Sequence, residues 1–118
     1  MNYITKINWN SIEKTLHPGK TGTANWQTID FENFSVRIVE YSEKYESDHW
    51  CSKGHIIYCI EGESIIEFEN GEKVLLKKDM SLVIYNELNP HRLISINGAK
   101  VILVDGDILS KSKYNLSK

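Results

Sequence analysis

Cysteine and proline are scarce in this chain, at two of each among 118 residues. Two thiols do not make a disulfide framework, so stability has to come from a packed core. No apolar run approaches the length needed to cross a bilayer. Neither charge sign dominates: 14 Lys and Arg stand against 16 Asp and Glu, a net charge of −2. No basic field exists to recruit nucleic acid or anionic lipid, so neither is expected as a partner. The N-terminal Met1-Asn2-Tyr3-Ile4-Thr5-Lys6 lacks the apolar core of a secretory signal, and the cytoplasm is the expected compartment. Sustained helical periodicity is missing as well.

What is present is frequent turn chemistry. Pro18-Gly19, Gly22, Gly54, Gly62, Asn70-Gly71, Asn89-Pro90, Asn97-Gly98 and Gly106 punctuate the chain. Between them lie short runs rich in Ile, Val, Leu, Phe and Tyr. They cover Phe34 to Tyr41, His55 to Ile60, Ser64 to Glu69, Lys73 to Leu76, Met80 to Tyr85, His91 to Ile96 and Lys100 to Val104. Short strands at steady spacing predict an all-β sandwich or barrel. Asn70-Gly71 predicts a hairpin with a type I′ turn. Glu61-Gly62-Glu63 and Asn97-Gly98 read as further tight turns. Residues 9 to 16 (Trp9, Ile12, Leu16) read as one short helical segment capped by Asn8 or Asn10. Strand parity puts His55, Ile57 and Cys59 on one face and Ile56, Tyr58 and Ile60 on the other. Both sets are largely apolar, so the strand is expected to be buried twice over or to form a dimer contact. A homodimer follows from the second option.

One stretch carries chemistry. Asp48-His49-Trp50-Cys51-Ser52-Lys53-Gly54-His55 places two imidazoles and a thiol at one strand entrance. In an extended segment His49 and Cys51 share a face, and Ser52-Lys53-Gly54 lets the chain turn His55 back toward them. Imidazole and thiolate suit Zn, Fe or Ni better than Ca or Mg. Asp48 is a candidate acceptor for a ligating imidazole, or else a turn residue. Cys59 reads as core. His17 reads as a surface loop residue, or as part of a lid. Arg37 and Arg92 are candidates to meet an acidic ligand. Arg37 lies mid-strand and needs a partner if buried, and parity turns Arg92 away from His91. Lys111, Lys113 and Lys118 read as a solvated tail.

These residues resemble the cupins, small double-stranded β-helix barrels with two motifs, G-x5-H-x-H-x3,4-E-x6-G and G-x5-P-x-G-x2-H-x3-N. With Gly62 on the closing glycine of the first motif, His55 falls on the glutamate position, Cys51 on the second histidine and His49 on the first. His91 falls on the histidine of the second motif. The glycine, proline and glycine positions before it do not match, and Ser95 stands where the asparagine would be. The order Asp48-His49-Trp50-Cys51 and the segment His17 to Thr28 also resemble a subgroup of small single-domain cupins with an Asp-His-Cys-Trp type signature. The resemblance implies one domain over residues 1–118, a cupin-type jelly-roll barrel over about 24–106 and a tail over 107–118. It implies a barrel mouth where His49, Cys51, His55 and His91 converge on a divalent transition metal and a small-molecule ligand binds. It names no reaction, since this barrel carries many. The competing expectation is a non-catalytic ligand-binding or sensor barrel with a structural metal, or with none.

Overall fold

The computed structural model describes residues 4–110; the basic tail residues Lys111, Lys113 and Lys118 lie outside that range. Seven strands form an antiparallel jelly roll: β1 Thr15–Pro18, β2 Thr23–Asp30, β3 Phe34–Glu46, β4 His55–Phe68, β5 Lys73–Lys77, β6 Ser81–Ile84 and β7 His91–Gly106. Their order is β1-β2-β3-β7-β4-β5, with β6 paired to β4 beside β5. The all-β expectation therefore holds. No helix among the described residues is long and apolar enough to cross a membrane.

The seams differ from the sequence reading in an instructive way. Glu61-Gly62-Glu63 and Asn97-Gly98 do not end strands. Each lies inside a longer one, where β4 and β7 run on through a register shift between Gly62 and Ile65. Gly62 (φ +72°) and Gly98 (φ +90°) are both left-handed. A glycine at positive φ bends a strand without breaking its ladder. The bend lets one half of β4 pair with β6, through His55 to Tyr58, and the other half pair with β5, through Glu63 to Glu67. At Gly62 a side chain has no room, because a Cβ there would lie 2.3 Å from the Gly98 carbonyl oxygen.

Three other expectations change. The Asn70-Gly71 hairpin is present, but Gly71 alone takes positive φ, and the Gly71 amide donates to the Phe68 carbonyl at 2.9 Å. That is a tight turn closed by a left-handed glycine, which does not ask Asn70 for positive φ as type I′ does. The helical segment shrinks to a single 3-10 turn at Trp9–Ser11, where the Asn8 side chain accepts from the Asn10 amide; the chain is extended from Ile12. β1 and β2 were absent from the apolar runs because their sequences, TLHP and TANWQTID, are mostly polar. β2 is recruited through buried Ala24 and through Gln27, whose amide donates to the Trp9 and Ile12 carbonyls at 2.7 and 2.9 Å.

The core fills the roll from every long strand. Val39, Ile57, Cys59, Ile66, Leu76, Val101 and Leu103 pack together with Ala24 and Ile84. Ile57 and Cys59 face inward as parity requires, and Tyr58 on the opposite face is 38% exposed.

Candidate metal centre

Two long-range pairings assemble the site. Cys51 forms an isolated antiparallel bridge with His91, the first residue of β7. The Cys51 amide donates to the His91 carbonyl at 2.7 Å, and the His91 amide donates back at 3.0 Å. His55 opens β4 opposite Ile84 of β6. Its approach depends on Gly54, whose amide donates to the Asn86 side chain at 2.6 Å and whose missing Cβ would strike the Ile84 carbonyl.

The result is a cluster of three donor atoms. One atom each from Cys51, His55 and His91 lies within 4.8 Å of the others. Cys51 Sγ sits 3.9 Å from His55 Nε2. The two imidazole rings meet edge to face, 5.2 Å between centroids.

Hydrogen bonding settles which nitrogen each ring offers. His91 Nδ1 lies 2.9 Å from the Asn89 carbonyl oxygen. A carbonyl only accepts, so Nδ1 carries the proton and neutral His91 turns a bare lone pair outward on Nε2. Burial and then the nearby His55 hold its pKa below the usual imidazole range. Nε2 is buried and has no hydrogen-bond partner. An orphaned buried acceptor is costly, and one aimed at a thiol and a second imidazole fits a metal ligand. His55 is held in the same tautomer by Asp105, whose carboxylate accepts from Nδ1. Burial draws the His55 pKa down, but the bonds to Asp105 and Cys51 outweigh it and the net shift is upward. The bond to His55 pulls the Cys51 thiol downward, toward the thiolate that binds metal.

His49 stands apart from this group. Its Nδ1 bonds to Asp48 at 2.7 Å, and its side chain is 71% exposed. It borders the same cavity at the rim, without joining the three inner donors. The two cysteines are free thiols, and Cys59 is fully buried in the core. His17 is a strand residue in β1, stacked on Trp26 at 3.6 Å.

Asp105 is the site residue the sequence concealed. It is 2% exposed, lies near the end of β7 and sits 50 positions from His55. Burial pushes its carboxyl upward, but His55, Arg37 and Lys53 more than compensate and its pKa is lowered. A carboxylate behind a ligating histidine is a recurring arrangement at metal sites. Strand parity alone hinted at it, since Leu103 and Val101 on the same face are also buried.

The donors open into a cavity of about 130 Å³. Its walls are mainly apolar (Val39, Ile57, Ile66, Leu93 and Leu103), with Trp26, Tyr41 and Tyr45 beside them.

No family model and no curated protein matches this chain. Solved structures do. Ectoine synthase from P. lautus superposes with a TM-score of 0.69 at 20% identity, over 87% of this chain and 78% of that one. A sugar phosphate isomerase from a cupin superfamily, from Silicibacter pomeroyi, gives 0.67 at 14%, over 86% and 75%. The Fe(II) form of HppE gives 0.73 at 13%, over 89% and 62%. The chain has the cupin fold. Identities this low carry the architecture and no substrate. Within that fold the chain places Cys51, His55 and His91 close enough to hold a metal, with a carboxylate behind one of the histidines.

Proposed function

We propose that this cupin binds a divalent transition metal through Cys51 Sγ, His55 Nε2 and His91 Nε2, and takes a small molecule in the cavity above it. The single observation that carries the reading is the buried, unpartnered Nε2 of His91 facing the other two donors. Two imidazoles and one thiolate suit Zn, Fe or Ni. Three protein ligands leave coordination positions for water or a ligand, which is the arrangement of reactive rather than purely structural zinc sites. His49 at the rim is a further donor if its ring turns away from Asp48. A bound metal would supply Lewis-acid polarisation at the ligand. Asp105 orients His55, and the apolar walls limit water. A fold neighbour solved with Fe(II) is consistent with a redox-active ion. The test is elemental analysis of untagged protein beside His55→Ala and His91→Ala. Near-stoichiometric metal in the parent and loss in both variants supports the assignment. Unchanged occupancy in either variant removes it.

A second reading rests on His55 standing between Cys51 and Asp105. Without metal, that row has the order of a thiol nucleophile, its base and an orienting carboxylate. It leaves His91 Nε2 unexplained, so the metal reading is preferred. Iodoacetamide labelling of Cys51 before and after chelation separates the two.

We also propose a homodimer. Tyr58 and Val83 are exposed on the face of β4 and β6 that points away from the core. The same face continues through Val104 and Val36. A contiguous apolar sheet face of this kind marks an association surface.

A further inference from the structure

The cavity over the three donors has an unusual charge balance. Its lining includes Arg37, Arg92 and three histidines, and no aspartate or glutamate. Arg92 is already engaged, donating to Glu67 at 2.6 Å and to Glu46 at 3.0 Å. Arg37 is not engaged in that way. Its Nε donates to Thr28 Oγ1 at 3.0 Å, and its Cζ lies over the Trp26 ring, 4.2 Å from the centroid. Its terminal nitrogens make no hydrogen bond among the described residues; the nearest carboxylate oxygen, on Asp105, lies 3.9 Å away. That oxygen also faces Lys53 at 3.7 Å, and the other oxygen of Asp105 is committed to His55. One buried carboxylate thus serves two cations.

Arg37 is also held in place. Trp26 pairs with β1 on one side and with β3 on the other. His17 stacks on the indole from β1 and Arg37 from β3. A guanidinium fixed at Nε and by stacking keeps its outer N–H fork rigid, which suits bidentate recognition of a planar carboxylate.

We infer that the ligand of this cavity is a small monocarboxylic acid, with its carboxylate on the outer N–H fork of Arg37 and a short apolar body against Val39, Tyr41 and Leu103. The inference rests on the metal reading for the ligand's location but not for its charge, which Arg37 sets. A volume of about 130 Å³ admits a few carbon atoms, well below the roughly 300–1,000 Å³ of pockets for larger ligands. Apolar walls disfavour a sugar or a doubly charged phosphate, whose remaining polar atoms would go unpaired. A neutral isostere would leave the Arg37 fork without its partner.

The experiment is calorimetric titration of the metal-loaded protein with butyrate, butyramide and inorganic phosphate, with Trp fluorescence followed in parallel and metal content measured on every sample. Butyrate is expected to bind at least about tenfold more tightly than butyramide or phosphate, since hydrogen bonds to a charged group are the strong ones. It should also perturb the emission of Trp26. Arg37→Gln is expected to abolish the preference for butyrate over butyramide while keeping its metal. Thr28→Val, which removes only the Nε anchor, is expected to reduce the preference and supplies the test if Arg37→Gln fails to fold. Equal affinity for acid and amide, no binding of butyrate up to tens of millimolar, tighter binding of phosphate, or an unchanged preference in both variants would overturn the inference. If the parent carries no metal yet prefers butyrate through Arg37, the metal reading fails and this one stands.

Discussion

Cys51 and His91 face each other across a two-way backbone bridge, amide to carbonyl at 2.7 and 3.0 Å. Forty residues apart in sequence, they are registered against each other by the backbone before either side chain is considered. This gives the centre a rigid half. The other half, His55, is set by Gly54 from below and by Asp105 from behind.

Asp105 is therefore expected to act through His55. Asp105→Asn should fold, because the amide oxygen still accepts from His55 Nδ1. It should weaken metal affinity by about 10–100-fold, the usual effect of losing a carboxylate behind a ligating histidine. Competition against a chromogenic chelator measures this. Unchanged affinity would mean that Asp105 serves the fold only.

Stability of the metal-free protein should depend on pH at both ends of one pair. The His55 pKa is raised above 6.5 in the folded state, so its contribution is fully present below pH 6.5 and is lost as pH rises through the folded value. Asp105 is lowered below 3.8, so its contribution is present above pH 3.8 and is lost as pH falls through the folded value. Thermal melts of a Cys51→Ser background, which removes the thiol's own titration, should show a plateau between these limits. Adding Asp105→Asn should flatten both limbs. A melting temperature indifferent to pH would contradict the pairing.

Two glycine substitutions should separate backbone strain from collision. Gly71→Ala meets nothing within 4 Å and carries only the left-handed penalty, about 1–2 kcal/mol. Gly62→Ala carries that penalty and also drives a Cβ onto the Gly98 carbonyl. Urea unfolding should place Gly62→Ala clearly below Gly71→Ala. Equal costs would mean that the bend in β4 relaxes freely.

The outer sheet face gives an association prediction. Light scattering after size exclusion should return twice the chain mass. Val83→Glu, at a position 51% exposed in the single chain, should return the chain mass with its melting behaviour little changed. A parent that runs as a monomer ends the dimer proposal.

Much of the architecture was legible because it depends on local pattern. Alternating Ile, Val and Phe located β3 to β7, and Asn70-Gly71 located a hairpin. What escaped was non-local. Gly62 and Gly98 resemble turn residues in sequence, yet each is a bend within a strand long enough to pair with partners on both sides of the roll. β1 and β2 are polar strands recruited by neighbours, so their own residues announce little. Among the candidate ligands, Cys51 and His55 are four residues apart, and His91 was placed by its resemblance to a motif. Asp105 carries no local signature beyond the strand parity it shares with buried Val101 and Leu103.

By itself, the order of residues determined the all-β class, most strand positions and the clustering of imidazoles and a thiol at one strand entrance, because these follow from alternation and short spacing. Tertiary structure alone decided that His91 turns a bare Nε2 onto Cys51 and His55 while His49 leans out to Asp48. It also decided that Asp105 backs His55 and that Arg37 lines the cavity with its terminal nitrogens 3.9 Å or more from that shared carboxylate and in no hydrogen bond among the described residues. The reason is physical: a donor's direction and a charge's partner depend on which distant strand lies alongside, and that is settled only when the sheet rolls up.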